Sequence, residues 1–374
     1  MTDIVMAAGE ASGDWLAAQL ANDLRRLRPD IHIAGVGGPL MRAAGVELLA
    51  DCAPLSVMGY WDAIKRLPAI LSVRRRLLAA IQNRRPALFI GIDAPDFNLG
   101  VSQRAHSWGI KTAQYVSPSV WMWRANRIQN IRLAVDSVLC LFPFELAYYE
   151  KSGVTAHFVG HPAAKTPVPD RARARAALSI SDNERVIALM PGSRSTELRQ
   201  HLPLFAETIR RLSEISETAR KNGRLIALAT DELSAKNIRI GLPSVEVRVG
   251  ATQEILAAAD VAMVKSGTST LQAALLGVPM VIVYKLSTVA HAVGAWRQFR
   301  LPFFGLPNIL CGRFVVPELL QNEFQPVTVA TELKRLLEYE QYQTSQTAAF
   351  TDIRQRLANV EEMAAAKATL AMLP

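Results

Sequence analysis

The sequence predicts an α/β protein made of two doubly wound units and a helical C-terminal segment. Three observations carry that expectation. Short apolar runs alternate with amphipathic stretches over most of the chain, the pattern of a parallel sheet flanked by helices. The alternation breaks near Pro162 and restarts at Val186. At 374 residues the chain is long enough for two such domains of ordinary size.

Taken in order, Ile4–Ala8 reads as the first strand, with a helix from about Gly13 to Leu27. Ile31–Val36 leads through Gly37, Gly38 and Pro39 into a helix ending at Ala44. Leu88–Ile92, Lys111–Val116 and Ser137–Phe142 complete the first set of strands. Pro167, Pro169 and the basic run Arg171–Arg175 read as a linker entering a helix. The second set is Val186–Met190, Leu225–Ala229, Val245–Val249, Val261–Val264 and Met280–Tyr284. From about Val327 only helices are expected, and a last helix that packs back on the first domain is compatible with this order. The expected boundaries are 1–165, 166–326 and 327–374.

Half of the residues are hydrophobic, which supplies a core and argues against disorder. Lys and Arg number 42 against 33 Asp and Glu, so anionic partners are favoured. No zinc-finger spacing or RNA-binding signature is present, which turns that expectation from nucleic acid toward phosphorylated substrates or a phospholipid surface. Cys52, Cys140 and Cys311 are far apart and form neither a disulfide framework nor a metal pattern, as suits a reducing compartment. The histidines are scattered and no Asp-x-Asp motif occurs, so no metal or other cofactor is expected. The first strand begins too early for a signal peptide, and no apolar run approaches the ~20 residues that cross a bilayer. The expected location is cytoplasmic, or held to a membrane from outside.

Doubly wound sheets bind ligands at the carboxyl ends of their strands, so the loops after strands are the places to look for chemistry. Lys265 to Ala274 follows a strand with a Ser266-Gly267-Thr268 turn that opens a helix. Such a helix end binds phosphate. No Walker-type lysine motif accompanies it, so a nucleoside diphosphate is favoured over triphosphate hydrolysis. Ser193 and Arg194 follow Val186–Met190, and an arginine there suits a diphosphate. In the first half, Gly9-Glu10-Ala11-Ser12-Gly13-Asp14 follows the first strand, with Ser12 or Asp14 placed to cap the following helix. It lacks the dinucleotide fingerprint, which argues against an NAD-dependent oxidoreductase. Asp93 and Asp96 end the Leu88–Ile92 strand, and Asp93 is the candidate general base; turn and cap roles are the alternative for both. His161 closes the first domain and is either a cleft residue or structural. Two stretches mix apolar and basic residues. One carries Trp61, Ile64 and Leu67 ahead of Arg74–Arg76, the other Trp296, Phe299 and Phe303 beside Arg297 and Arg300. They suit a membrane interface or, alternatively, ordinary core-facing helices.

Several of these motifs, in order, resemble lipid-A-disaccharide synthases: residues 8–14, 91–98, Tyr115 to Trp121, Phe142 to Glu145, Phe158 to Pro162, Pro191 to Arg194 and Leu306 to Leu310. The resemblance implies a GT-B glycosyltransferase, with two Rossmann-like domains facing a cleft. It would join UDP-2,3-diacylglucosamine to 2,3-diacylglucosamine 1-phosphate with inversion and release UDP. On it Asp93 is the base, while Arg194, Ser193, Ser266, Gly267, Thr268 and Gln272 belong to the UDP side. Asn308, Arg313, Glu318 and Gln321 match the family's late motif on that side. It also implies peripheral attachment to the inner membrane and allows a homodimer. Two residues depart from the pattern. Gln272 stands where the family usually has Glu, and Lys165 where an acidic residue is common. Two other functions stay open: a UDP-sugar 2-epimerase on the same scaffold, and a non-catalytic nucleotide-sugar or lipid-binding protein.

Overall fold

The computed structural model describes residues 3–55, 60–120, 127–285 and 302–373, the side chains of residues 60–65 and 127 excepted. The chain divides into two compact units. Unit 1 comprises residues 1–162 and 357–374, and unit 2 comprises residues 163–356.

Among its described residues, unit 1 holds a parallel sheet of seven strands. These are β1 (Asp3–Ala8), β2 (His32–Gly37), β3 (Glu47–Asp51), β4 (Leu88–Ile92), β5 (Lys111–Tyr115), β6 (Ser137–Cys140) and β7 (Thr155–Phe158), in the order β3-β2-β1-β4-β5-β6-β7. Unit 2 holds six, β8 (Arg185–Met190), β9 (Gly223–Ala229), β10 (Glu246–Val249), β11 (Val261–Lys265), β12 (Met280–Tyr284) and β13 (Glu318–Leu320), in the order β10-β9-β8-β11-β12-β13. Both sheets reverse their strand order beside the first strand. In unit 1 this happens between β1 and β4, where Val5 pairs with Phe89. In unit 2 it happens between β8 and β11, where Leu189 pairs with Met263.

Central strands such as β4 are buried along their whole length, so they read as continuous apolar runs. The sequence pattern gives no strand at β3, β7 or β13. All three lie at sheet edges and are only partly buried. An edge strand with one solvated flank has no need of an unbroken apolar run, so pattern passes over these three, while β10, at the remaining edge, is read because Val245, Val247 and Val249 keep the alternation.

Helix Pro326–Glu338 packs on helix Ser195–Ile215, and Val329, Ala330, Leu333 and Leu336 join the core of unit 2. Helix Ala364–Leu370 packs on helix Ala11–Leu27 in unit 1. The C-terminal stretch from residue 327 is therefore shared: residues up to 356 lie with unit 2 and the remainder with unit 1.

The basic run after the linker serves the interior of unit 2. Arg171 and Arg175 of helix Arg171–Ala177, together with Arg185, surround Asp260 at 2.9, 3.5 and 3.2 Å. The Val186 N–H donates to the same carboxylate at 2.7 Å. Arg175 is buried and also donates to the carbonyls of Ala258, Ser181 and Glu184. Removing one member of a buried ion pair leaves the other charge uncompensated, at about 3–5 kcal/mol. Asp260→Ala should lower the denaturant midpoint of unit 2 by a corresponding amount. An unchanged midpoint would show that Asp260 does not anchor this helix.

Candidate functional site

The reversal point of unit 1 brings together the turns after β1 and β4. A Cβ built on Gly9 would lie 2.3 Å from the Cβ of Ala94, so only glycine allows the two turns to approach this closely. On the β1 side Glu10 and Ser12 are exposed. The Ser12 hydroxyl donates to Asp93 Oδ2 at 3.4 Å, while Glu10, at the cap position of helix Ala11–Leu27, makes no side-chain cap bond. The expected capping of this helix by Ser12 or Asp14 is corrected accordingly. Asp14 is buried and accepts instead from the N–H groups of Gly38, Leu40 and Met41 at 2.7, 2.9 and 3.1 Å. It caps the short helix after β2, because a helix whose first N–H groups face the interior needs an acceptor there.

Asp93 is half-buried, and both it and Ala94 adopt left-handed backbone, with φ of 53° and 39°. Burial is the main influence on the Asp93 carboxyl and raises its pKa; hydrogen bonds from the Ala94 backbone and Ser12 work weakly the other way. Such a carboxylate is a better proton acceptor than a solvated one. The turn is tied down from inside. Asn98, fully buried in helix Pro95–Ser107, donates through Nδ2 to the carbonyls of Asp93 at 2.8 Å, Ala7 at 3.0 Å and Ile92 at 3.3 Å. Asp96 is exposed in the first turn of the same helix. His161, elsewhere in unit 1, stacks against Phe142 at 6.1 Å and donates its backbone N–H to Leu357. Burial pushes its pKa down to about 4, so the ring is neutral at neutral pH.

The reversal point of unit 2 brings together the turns after β8 and β11. Arg194 stands exposed at the cap position of helix Ser195–Ile215, after the half-buried Ser193. Glu197, one turn on, lies 3.7 Å from Arg194 and accepts from Lys265 Nζ at 2.9 Å. Burial works to raise the Glu197 pKa, but Lys265 and Arg194 outweigh it and hold the carboxyl below its ordinary value. Lys265 closes β11 and also lies over the Tyr284 ring at 5.4 Å. Beyond it, Gly267 caps helix Thr268–Leu275 without a side-chain bond, with Gly267, Thr268 and Gln272 exposed and Ser266 half-buried. Two cations and a helix N-terminus at one strand-end cluster can hold an anion.

The late-motif residues differ among themselves. Asn308 is fully buried; its Nδ2 donates to Val316 O and Glu318 Oε1, and its Oδ1 accepts from Val315 and Val316. Glu318 accepts from the Phe304 and Gly305 N–H groups, both at 2.8 Å. These two side chains face each other and shape the turn before helix Leu306–Cys311. The Ser266 hydroxyl donates to Phe304 O at 3.4 Å, so that turn adjoins the helix end. Arg313 is exposed and Gln321, with φ of 52°, donates its N–H to Tyr284. Lys165 is exposed at the end of helix Pro162–Lys165. Trp296 and Phe299 lie outside the described residues, as do the side chains of Trp61 and Ile64. Leu67 is exposed on helix Tyr60–Arg84, and Phe303 meets the exposed Phe314 edge-on at 4.9 Å. Among the described residues no group of three or more His, Cys, Asp or Glu could hold a metal ion.

Sequence reasoning missed three residues. Lys265 was visible as the last residue of its strand, beside Ser266. His201 donates from Nδ1 to Pro191 O at 2.9 Å and accepts at Nε2 from the Lys285 N–H at 3.2 Å, tying the ends of β8 and β12, the two neighbours of β11. Gln114 of β5 reaches the Asp93 carbonyl at 3.0 Å. Nothing in sequence distinguishes the last two from ordinary polar residues.

Gly9→Ala puts a methyl group against backbone-fixed atoms, and the two turns must part at about 1–3 kcal/mol. Urea unfolding should show that loss; an unaffected variant would mean that the turns are not in contact.

The model of the lipid-A-disaccharide synthetase family matches residues 4–372. A lipid-A-disaccharide synthase of Chromobacterium violaceum is 44% identical, covering 98% of this chain and 96% of its own. Similar solved folds include the glycotransferase of kitacinnamycin, with TM-score 0.61 and 16% identity over 100% and 99% of the two chains. They also include a UDP-GlcNAc 2-epimerase of Neisseria meningitidis bound to UDP-GlcNAc, with TM-score 0.62 and 12% identity over 99% of each chain. At that identity the two structures share the GT-B architecture and say nothing of activity. Near-complete coverage at much higher identity does: the chain belongs to the lipid-A-disaccharide synthase family.

Proposed function

We propose that this chain joins UDP-2,3-diacylglucosamine to 2,3-diacylglucosamine 1-phosphate, forming the β-1′,6-linked disaccharide 1-phosphate and UDP. The family supports the reaction, and the reversal points of the two sheets supply residues suited to its halves. Asp93 accepts the proton of the acceptor 6-hydroxyl as that oxygen attacks the anomeric carbon. The bond from that carbon to the UDP oxygen breaks on the opposite face, which inverts the centre. The charge that gathers on the departing diphosphate meets Arg194 and the Ser266–Thr268 turn, with Lys265 adding a further cation. Ser193, Gln272, Arg313 and Gln321 complete the UDP side. Gln272 is neutral, so a ribose hydroxyl would donate to an amide oxygen and not to a carboxylate, a weaker bond. Asn308 and Glu318 act here by shaping the turn. Glu10, Ser12 and Asp96 flank the acceptor side.

The observation that carries this reading is the half-buried, hydrogen-bonded Asp93 at the β1/β4 reversal point. In a detergent-micelle assay with both lipids, Asp93→Asn should lower kcat by about 10²–10⁴ while UDP affinity stays unchanged. The base must be ionised, and burial raises its pKa. Activity of the unmodified enzyme should therefore fall away on acidification at a pH above the ordinary aspartate value of about 3.9. Turnover of Asp93→Asn at the unmodified rate would remove Asp93 as base.

The same reading includes attachment to the inner-membrane surface and a homodimer. No helix among the described residues is long and apolar enough to cross a membrane. Leu67 and Leu71 are 49% and 42% exposed, one helical turn apart, ahead of the exposed Arg74, Arg75 and Arg76. Phe303 and the exposed Phe314 form a second apolar contact. Apolar side chains beside cations suit an anionic interface. Leu67→Ser with Leu71→Ser should reduce sedimentation with vesicles containing anionic phospholipid. Unchanged sedimentation would count against this face.

A further inference from the structure

We propose that Gln114 is a positioning residue for Asp93: its buried amide clamps the ends of β4 and β5 together and holds the base in left-handed backbone. The proposal deepens the reading of Asp93 as base and rests on it.

Gln114 is fully buried, and in the sheet register it lies opposite Gly91 of β4. A Cβ at Gly91 would come within 2.8 Å of Gln114 Oε1 and 2.7 Å of Asn98 Cβ. The glycine therefore makes room for both amides under the turn. From that seat Gln114 Nε2 reaches three carbonyls, those of Asp93 at 3.0 Å, Tyr115 at 3.3 Å and Val116 at 3.3 Å. The first belongs to the end of β4, the others to the end of β5. The Asp93 N–H returns the link by donating to Tyr115 O at 2.9 Å.

Both strand ends so joined are strained. Asp93 and Ala94 have φ of 53° and 39°, and Val116 has φ of 73°. Left-handed backbone is unfavourable for residues with a side chain, most of all for a β-branched one. Strain of this kind persists only where surrounding structure over-determines it. A packing role alone would be filled by an apolar side chain, yet the structure keeps a glutamine whose Oε1 has no partner among the described residues. The N–H donors are the part that the fold uses.

The test compares Gln114→Met, which keeps length and volume without a donor, with Gln114→Asn, which keeps the amide but is one methylene too short to reach the same carbonyls. Both are assayed in micelles with the two lipid substrates over a pH series, and UDP affinity is titrated on the same preparations. A small displacement of a reacting group costs up to about a hundredfold in rate. We expect kcat to fall about tenfold to a hundredfold with UDP affinity unchanged. Burial and the bonds from the Ala94 backbone and Ser12 set the acidity of Asp93, and no charged side chain is among the causes. A released turn exposes the carboxylate, so the acidic limb of the rate profile should also move to lower pH. A structural role alone would lower the active fraction and leave that limb in place. If either variant folds and matches the unmodified enzyme in kcat and acidic limb, the proposal is overturned. If Asp93→Asn itself retains full turnover, it is the assignment of the base that fails.

Discussion

A parallel strand covered by helices on both faces can offer chemistry only at its end. That constraint organises both units. The strands nearest each reversal point, β1 and β4 in one sheet and β8 and β11 in the other, are almost wholly apolar and buried. Their side chains are committed to the core. Beside the reversal, neighbouring connections leave toward opposite faces of the sheet, so the turns between them are not covered by a crossing helix. Asp93 and Ser12 occupy such a place in unit 1, and Arg194, Glu197, Lys265 and Ser266 occupy its counterpart in unit 2.

Holding functional groups at a strand end has an energetic side. Each left-handed residue with a side chain costs about 1–2 kcal/mol, and Asp93, Ala94 and Val116 are three of them. Against this stand the amide N–H donors of Asn98 and Gln114, shared among the carbonyls of Ala7, Ile92, Asp93, Tyr115 and Val116. A net hydrogen bond contributes about 0.5–1.5 kcal/mol, so the two sides are of similar size. The turn is held close to balance, and its geometry is therefore sensitive to either amide.

How much of this was legible in the sequence follows from the same physics. Central strands announce themselves because burial on both faces demands unbroken apolar runs, and the turns after them carry Asp93, Arg194 and Ser266 in view. Edge strands such as Glu47–Asp51 and Thr155–Phe158 have no such demand and went unread. The supporting side chains were also invisible, for a different reason. Gln114 and His201 act on backbone carbonyls and N–H groups, and a contact with backbone leaves no complementary side chain to find. Asp14 shows the limit from the other direction. Its place before an apolar run suggested a cap for its own helix, whereas tertiary structure turns it onto the N–H groups of Gly38, Leu40 and Met41.

The two strand-end carboxylates illustrate how one architecture yields opposite chemistries. Asp93 and Glu197 each follow a central strand, and burial works toward a higher pKa in both. Around Asp93 only an N–H and a hydroxyl work against that effect, and burial prevails. Around Glu197 two cations work against it, and they prevail. A carboxylate of the first kind has reason to take a proton when a hydroxyl is presented to it. One of the second kind stays ionised and keeps Lys265 and Arg194 from repelling each other while no other anion is at hand. Pairs of titratable groups whose surroundings drive them apart mark acid–base and charge-holding roles. Here the distinction is set entirely by which neighbours the turns bring in, since the strands beneath them are alike.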